Sequence, residues 1–225
     1  MLSAMDGIGR REIDDDDEVI RRDTSEFDRG VSFFDAIYGF AVTLLIVNVD
    51  LPEPEAWQDL GSLAASGLGQ QLTGVALSFV VICALWRVNV RMIKGLTGLD
   101  GPMVVGNLLA TGLVILVPFT TDAISNPATA DLDLPTALYA LNIAGVSLAQ
   151  AAVYQRGRAV GLERRPTSAR ENRRMLLAAT ATPVVFLASV PVAVTVGAGT
   201  AQLMWVSLVV LLPLTGGLAN RARGT

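Results

Sequence analysis

Arg29 to Pro52 reads RGVSFFDAIYGFAVTLLIVNVDLP, and this stretch decides the fold. From Val31 to Val49 it runs for 19 residues with a single charge, Asp35. At about 1.5 Å per residue, a helix of that length crosses a hydrocarbon core of about 30 Å. Asp50 and two prolines, Pro52 and Pro54, then end it. A carboxylate inside such a span is expensive to bury unless it is paired or wet, so Asp35 is a candidate functional residue. The stretch reads as the wall of an ion pathway, with the rest of the chain as its support.

The composition agrees. Of 225 residues, 52% are hydrophobic and 17% charged, and the mean hydropathy is +0.50. A soluble domain of this length needs a more polar surface. The charges are also segregated, with long stretches that carry none, which points to an all-α integral membrane protein. Cys83 is the single cysteine and lies in an apolar run, so there is no disulfide framework and no thiolate metal set. Histidine is absent, which removes the commonest general base and metal ligand.

Taken in order, residues 1–28 form an acidic tail with Asp14 to Glu18 between Arg10-Arg11 and Arg21-Arg22. The tail lacks an apolar signal-peptide core and reads as solvated and disordered. Six spans follow, at about 31–49, 72–90, 102–121, 136–154, 175–196 and 201–218, making residues 29–220 one transmembrane domain with a tail at 221–225. The third span contains Asn107 and an internal Pro118, and the fifth contains Pro183 and Pro191. With the N-terminus in the cytoplasm, all 17 lysines and arginines fall on the cytoplasmic side. The outer loops hold only acids, among them Asp50, Glu53, Glu55, Asp59, Asp122, Asp131 and Asp133. That is the positive-inside pattern, and it places both termini inside a cell membrane.

Within the first span, Phe40, Leu44 and Val47 follow i, i+4, i+7 spacing, beside a small-residue stripe of Ala36, Gly39 and Thr43. Spacing alone leaves open whether this face meets lipid, a partner helix or a pore, because every position is apolar. Asp35 lies about one turn inside the cytoplasmic boundary. Its possible partners are Arg29, Arg87, Arg91, Trp86, Asn89 and Asn107. Arg29 alone reads as an interfacial arginine that snorkels to water. The seven arginines between Gln155 and Arg174 anchor the topology and can meet anionic lipid.

Several classes are excluded or unsupported. There is no TVGYG-type carbonyl filter and no GK[ST] nucleotide loop. No paired aspartates or Ser/His constellation indicates a membrane protease, and no inverted repeat supports a secondary transporter. No enzymatic role, cofactor or nucleic-acid partner is expected.

Arg29, Phe33 and Asp35, with Thr43-Leu44 eight and nine residues after the aspartate, resemble the R-x-x-x-F-S-D signature of the transmembrane protein 175 family, a lysosomal potassium channel and its six-helix prokaryotic homologues. The similarity continues through Ser78-Phe79, Trp86, Asn107 and Pro118-Phe119-Thr120, covering roughly residues 29 to 121. The resemblance implies a homotetramer whose four first helices line a central potassium pore. Apolar rings at Phe40, Leu44 and Val47 would constrict it, Thr43 would sit near a hydroxyl layer, and Arg29, Phe33, Asp35, Trp86 and Asn107 would form the signature network. Three positions depart from the family pattern: Phe34 replaces the signature serine, Phe40 an isoleucine, and Asn89 a histidine. Altered gating or selectivity is therefore expected. The rival reading is a proton-coupled transporter of small solutes with Asp35 as proton carrier.

Overall fold

The computed structural model describes residues 19–205. Five of its helical segments are long and apolar enough to cross a membrane: Ser25–Val47, Leu68–Lys94, Gly101–Ser125, Asp133–Ala159 and Ala169–Val196. Residues 198–205 begin a further helix, and the rest of the expected sixth span lies outside the described residues.

Helix α1 (Ser25–Val47) starts earlier than its apolar run. Thr24 adopts an extended backbone, and its Oγ1 accepts from Phe27 N at 3.3 Å. Glu26 and Asp28 in the first turn complement the helix dipole. The expected tail of residues 1–28 is thus corrected in its last part: Ile20–Arg21 form strand β1, which pairs antiparallel with β2 (Gly98–Leu99). Residues 1–18 lie outside the described residues. At the other end of α1, Asn48 Nδ2 donates to Pro118 O at 3.2 Å and Asp50 N donates to Gln71 Oε1 at 2.8 Å. A short 3₁₀ turn (Pro54–Gln58) and α2 (Leu60–Ala65) follow, with Asp59 capping α2 through Ser62.

Helix α3 (Leu68–Lys94) begins after Gly67, whose φ of 82° and close approach to Pro127 both exclude a side chain. The third span is not one helix. It divides into α4 (Gly101–Ile115) and α5 (Val117–Ser125), with the break at Leu116. Pro118 lacks an N–H and cannot continue the α4 ladder, and the ending turn tightens so that Leu116 N donates to Leu113 O at 3.1 Å. Helix α6 (Asp133–Ala159) packs against α4, α5 and α7 (Ala169–Val196) and buries residues around much of its circumference. Helix α7 is continuous through Pro183 and Pro191.

The core lies in two parts. One gathers Tyr38, Leu45, Ile82, Tyr139, Ile143, Phe186 and Trp205, with Tyr139 and Trp205 rings stacked at 5.0 Å. The other, toward the arginine-rich end, gathers Phe27, Phe34, Met92, Met103 and Val153. Buried polar groups at Tyr38 join them: Gln150 Nε2 donates to Tyr38 Oη at 2.8 Å and to Leu85 O at 3.0 Å.

The charges sort spatially as they do in sequence. Asp100 caps α4 through Met103 N at 2.9 Å and pairs with Arg156 at 2.8 Å. Glu163 folds the arginine-rich loop around itself, accepting from Tyr154 Oη and Thr167 Oγ1, each at 2.9 Å, with Arg158 Nε 3.6 Å away. Burial raises the Glu163 pKa, but the hydrogen bonds from Thr167 and Tyr154 and the Arg158 charge outweigh it, leaving the carboxyl below its ordinary value. A depressed folded pKa stabilises the loop above the unfolded value, and that contribution is lost as pH falls through the folded one. Glu163→Gln is therefore expected to speed amide exchange over residues 160–168 at neutral pH about tenfold, the loss of roughly one charge-assisted hydrogen bond. The unsubstituted loop should loosen only in acid below the usual carboxylate range. Equal exchange in both at neutral pH would contradict this.

Candidate pore-lining face

Phe27, Phe34, Tyr38, Ala41 and Leu45 are the buried positions of α1. They turn toward α3, α4 and α5, the helices that α1 contacts. Opposite them, Arg29, Phe33, Ala36, Phe40, Thr43 and Val47 stand exposed in the single chain, with Phe40 at 71% and Val47 at 70%. The spacing of these six positions alternates between four and three residues. That is the seven-residue seam by which helices pack around a common axis. Ser32, Gly39 and Ile46 are exposed beside these six, and the buried face at Phe34, Tyr38, Ala41 and Leu45 repeats in the same way, so the spacing is that of one helix face and the family resemblance must supply what it meets.

Of the expected constriction residues, Phe40 and Val47 lie on this seam and Leu44 does not. Leu44 is half-buried beside it, while Thr43 is fully on the exposed face. A helix turns about 100° per residue, so a straight α-helix drifts about 20° per heptad from a strict seam. Choosing between positions 43 and 44 therefore requires the packing of the other face. Thr43 Oγ1 donates to Phe40 O at 2.8 Å, which ties down its proton and turns acceptor capacity outward. Gly39 and Ala36 leave the seam's shoulder open, and a Cβ at Gly39 would meet nothing within 4 Å.

The expected signature network is only partly assembled. Asp35 is half-buried, and of its six possible partners the one it takes is Trp86, whose Nε1 donates to Asp35 Oδ1 at 2.9 Å. This bond clips α1 to α3. Arg29 and Phe33 are not joined to it: Arg29 is exposed with no ion pair among the described residues, and Phe33 packs edge-on against Phe34 at 6.0 Å. Asn107 is fully buried, and neither of its side-chain polar atoms has a hydrogen-bond partner among the described residues.

The departures from the family pattern also have places. Phe34 is 3% exposed and fills the core at the arginine-rich end. The nearby Ser32 hydroxyl donates to Asp28 O at 2.7 Å, within α1 itself. Asn89 is buried, with Nδ2 at 3.5 Å from Tyr38 Oη. Sequence reasoning missed Tyr38, Asn48 and Gln71. The available signal was each polar group's position within or just beyond an apolar span, where it needs a partner.

The fold and the α1 seam define a multi-pass helical membrane protein that presents one face of its first helix to something outside the protomer. Residues 29–118 match the model of the family described as the endosomal/lysosomal potassium channel TMEM175. The resemblance read from the sequence is borne out over that stretch, from α1 to the α4–α5 break. A solved structure, the lysosomal potassium-selective channel TMEM175 homolog from Chamaesiphon minutus, matches with a TM-score of 0.71 at 17% identity. The match covers 85% of this chain and 98% of that one, so the likeness of fold extends well beyond the family match. No curated protein matches the sequence.

Proposed function

We propose that the chain is a potassium channel subunit, and that four copies assemble with the α1 seam around a central pore. The observation that carries this is the uncovered heptad seam of Phe33, Ala36, Phe40, Thr43 and Val47, which falls within the residues that match the potassium-channel family. Four copies of Phe40 and of Val47 would form apolar rings, which resist water and hence ions. Leu44 completes the wall behind them. Potassium holds its hydration shell less tightly than sodium and enters such a constriction at lower cost. Thr43, one turn from Phe40, would offer four hydroxyl oxygens in place of lost water.

The clip between Asp35 and Trp86, with Arg29, Phe33 and Asn107 around the same end of α1, would brace the helix at the cytoplasmic mouth. The arginine-rich end faces the cytoplasm and the acidic loops face out of a cell membrane. There Asp50, Glu53 and Glu55 would raise the local cation concentration.

The transporter reading makes Asp35 a proton carrier. Its carboxylate instead holds a hydrogen bond between two helices. Asp35→Asn retains an oxygen that can accept from Trp86, so the channel reading expects potassium flux within about threefold of the unsubstituted protein, since a neutral acceptor costs under 1 kcal/mol here. It also expects no dependence on a proton gradient. Flux that needs a proton gradient and vanishes in this variant would establish the transporter instead.

A further inference from the structure

Four helices each bring one buried polar side chain to the boundary between the two apolar cores. On α3, Asn89 lies between Leu85 of one core and Met92 of the other. On α4, Asn107 lies between Met103 and Val114, and on α6, Gln150 lies between Val146 and Val153. On α1, Tyr38 follows Phe34 by one turn. None of the four is more than 2% exposed. Close contacts set them at one level. A Cβ at Gly106 would meet Val153 Cγ2 at 2.6 Å, and one at Gly157 would meet Met103 Cε at 2.8 Å. Asn107 therefore passes α6 within about a turn of Gln150. The bond from Asn48 to Pro118 O holds α1 in step with the α4–α5 segment, which brings Tyr38 alongside Leu108.

Most polar atoms of this layer are open. Both bonds at Tyr38 Oη are received, from Gln150 Nε2 at 2.8 Å and Asn89 Nδ2 at 3.5 Å, so the phenol proton is left to donate elsewhere. Asn89 Oδ1, Gln150 Oε1, Asn107 Oδ1 and Asn107 Nδ2 have no partner among the described residues. Turning the Gln150 amide over does not close the set. Its Nε2 also donates to Leu85 O at 3.0 Å, and a flip would set two carbonyl oxygens together. Buried amides left unpaired forfeit their hydration without replacement.

We infer that ordered water occupies this layer and bridges Asn107 on α4 to Tyr38, Asn89 and Gln150. The open groups decide the occupant. Three are acceptor oxygens, on Asn89, Asn107 and Gln150, and two are donors, the phenol O–H and Asn107 Nδ2. A cation satisfies only the oxygens and an anion only the donors, whereas a water molecule donates twice and accepts twice. The bridge ties α4 to the covered side of α1 and so fixes the helix whose other side is uncovered. Tyr139 shows the dry alternative within the same protomer. Its Oη lies 3.1 Å from Ser78 Oγ, which lies 2.7 Å from Thr121 Oγ1, and the Thr121 hydroxyl also meets Val117 O at 2.7 Å. That chain ends on a backbone carbonyl and needs no water.

The test is radiolytic labelling of the purified protein in a bilayer, read by mass spectrometry. Hydroxyl radicals formed from bound water add to the aromatic ring beside it. Tyr38 is expected to be oxidised about tenfold faster than Tyr139, although both are buried, because only Tyr38 has water in contact. In Asn107→Leu the Tyr38 label should fall to the Tyr139 level, and the unfolding midpoint should drop by roughly 5 °C. Equal labelling of the two tyrosines in the unsubstituted protein would overturn the site, whether or not the variant assembles. So would an undiminished label in assembled Asn107→Leu, or a raised midpoint, which is what removing an unpaired amide predicts. A label that vanishes when choline replaces potassium and sodium would assign the oxygens to a metal ion instead. These readouts concern the protomer and stand apart from any flux measurement.

Discussion

Phe40→Ala is expected to raise potassium flux about tenfold and to bring sodium flux up toward it. Phe40 is the most exposed aromatic side chain on the uncovered face of α1, 71% exposed in the single chain against 55% for Phe33. In a fourfold arrangement, removing it deletes four aromatic rings at one level. A tenfold change in rate corresponds to about 1.4 kcal/mol of barrier, a modest share of what desolvating a cation at an apolar ring costs. Sodium gains more than potassium, because its tighter hydration shell made the constriction costlier for it. The measurement is vesicle flux under matched potassium and sodium gradients, with subunit assembly checked in parallel. An unchanged ratio in an assembled Phe40→Ala protein would remove Phe40 from the pore. Thr43 and Val47 would then be the residues to examine.

The second large effect concerns stability and separates two kinds of glycine. Gly74 lies on α3, where a Cβ would collide with Ser125 Cβ on α5. Ser125 cannot move freely, since its Oγ is held to Thr121 O at 2.8 Å. Gly74→Val should therefore force α3 and α5 apart at the cost of about 1–3 kcal/mol, as overpacking of a tight core does. Close approach through small residues is how helices gain dispersion contacts inside a membrane, where burial from water offers little. Gly39→Val is the contrast. Nothing within the protomer lies in the way, so protomer stability should hold while the assembled species declines. Thermal unfolding and size-exclusion profiles of both variants read this directly. Equal stability of Gly74→Val and the unsubstituted protein would mean that the α3–α5 approach is looser than described.

Much of the fold was legible in sequence because a bilayer imposes a simple rule. An apolar run of about 20 residues must close its hydrogen bonds internally, so hydropathy located the five described spans to within a few residues at most ends. The early start of α1 escaped it: Thr24 caps a first turn of Ser25, Glu26 and Asp28 that is polar and adds nothing to hydropathy. Strand β1 was invisible for a related reason. Two residues paired with a distant loop have no period to read, and the pairing depends on backbone groups that every residue carries. The α4–α5 break was half legible. Pro118 announced a disturbance, but only the packing shows α4 ending at Ile115 and Asn48 reaching Pro118 O across the gap.

The seam itself divides in the same way. Phe40 and Val47 were accessible to helical spacing, since any period near 3.6 puts them on one face. That Thr43 is exposed and Leu44 half-buried was not, because it depends on which side of α1 is covered by α3, α4 and α5. Asp35 was conspicuous as a charge in an apolar run. Its partner is the indole N–H of Trp86 on α3, and among the described residues no arginine forms an ion pair with it.

The central claim is that this chain conducts potassium through a pore lined by α1. Its most direct measurement is ion flux through purified protein in liposomes, first under a potassium gradient and then under an equal sodium gradient. The account predicts potassium flux well above sodium flux, unsaturated at high concentration and indifferent to an added proton gradient. Absence of cation flux from assembled protein, or flux that appears only with a proton gradient, would contradict it.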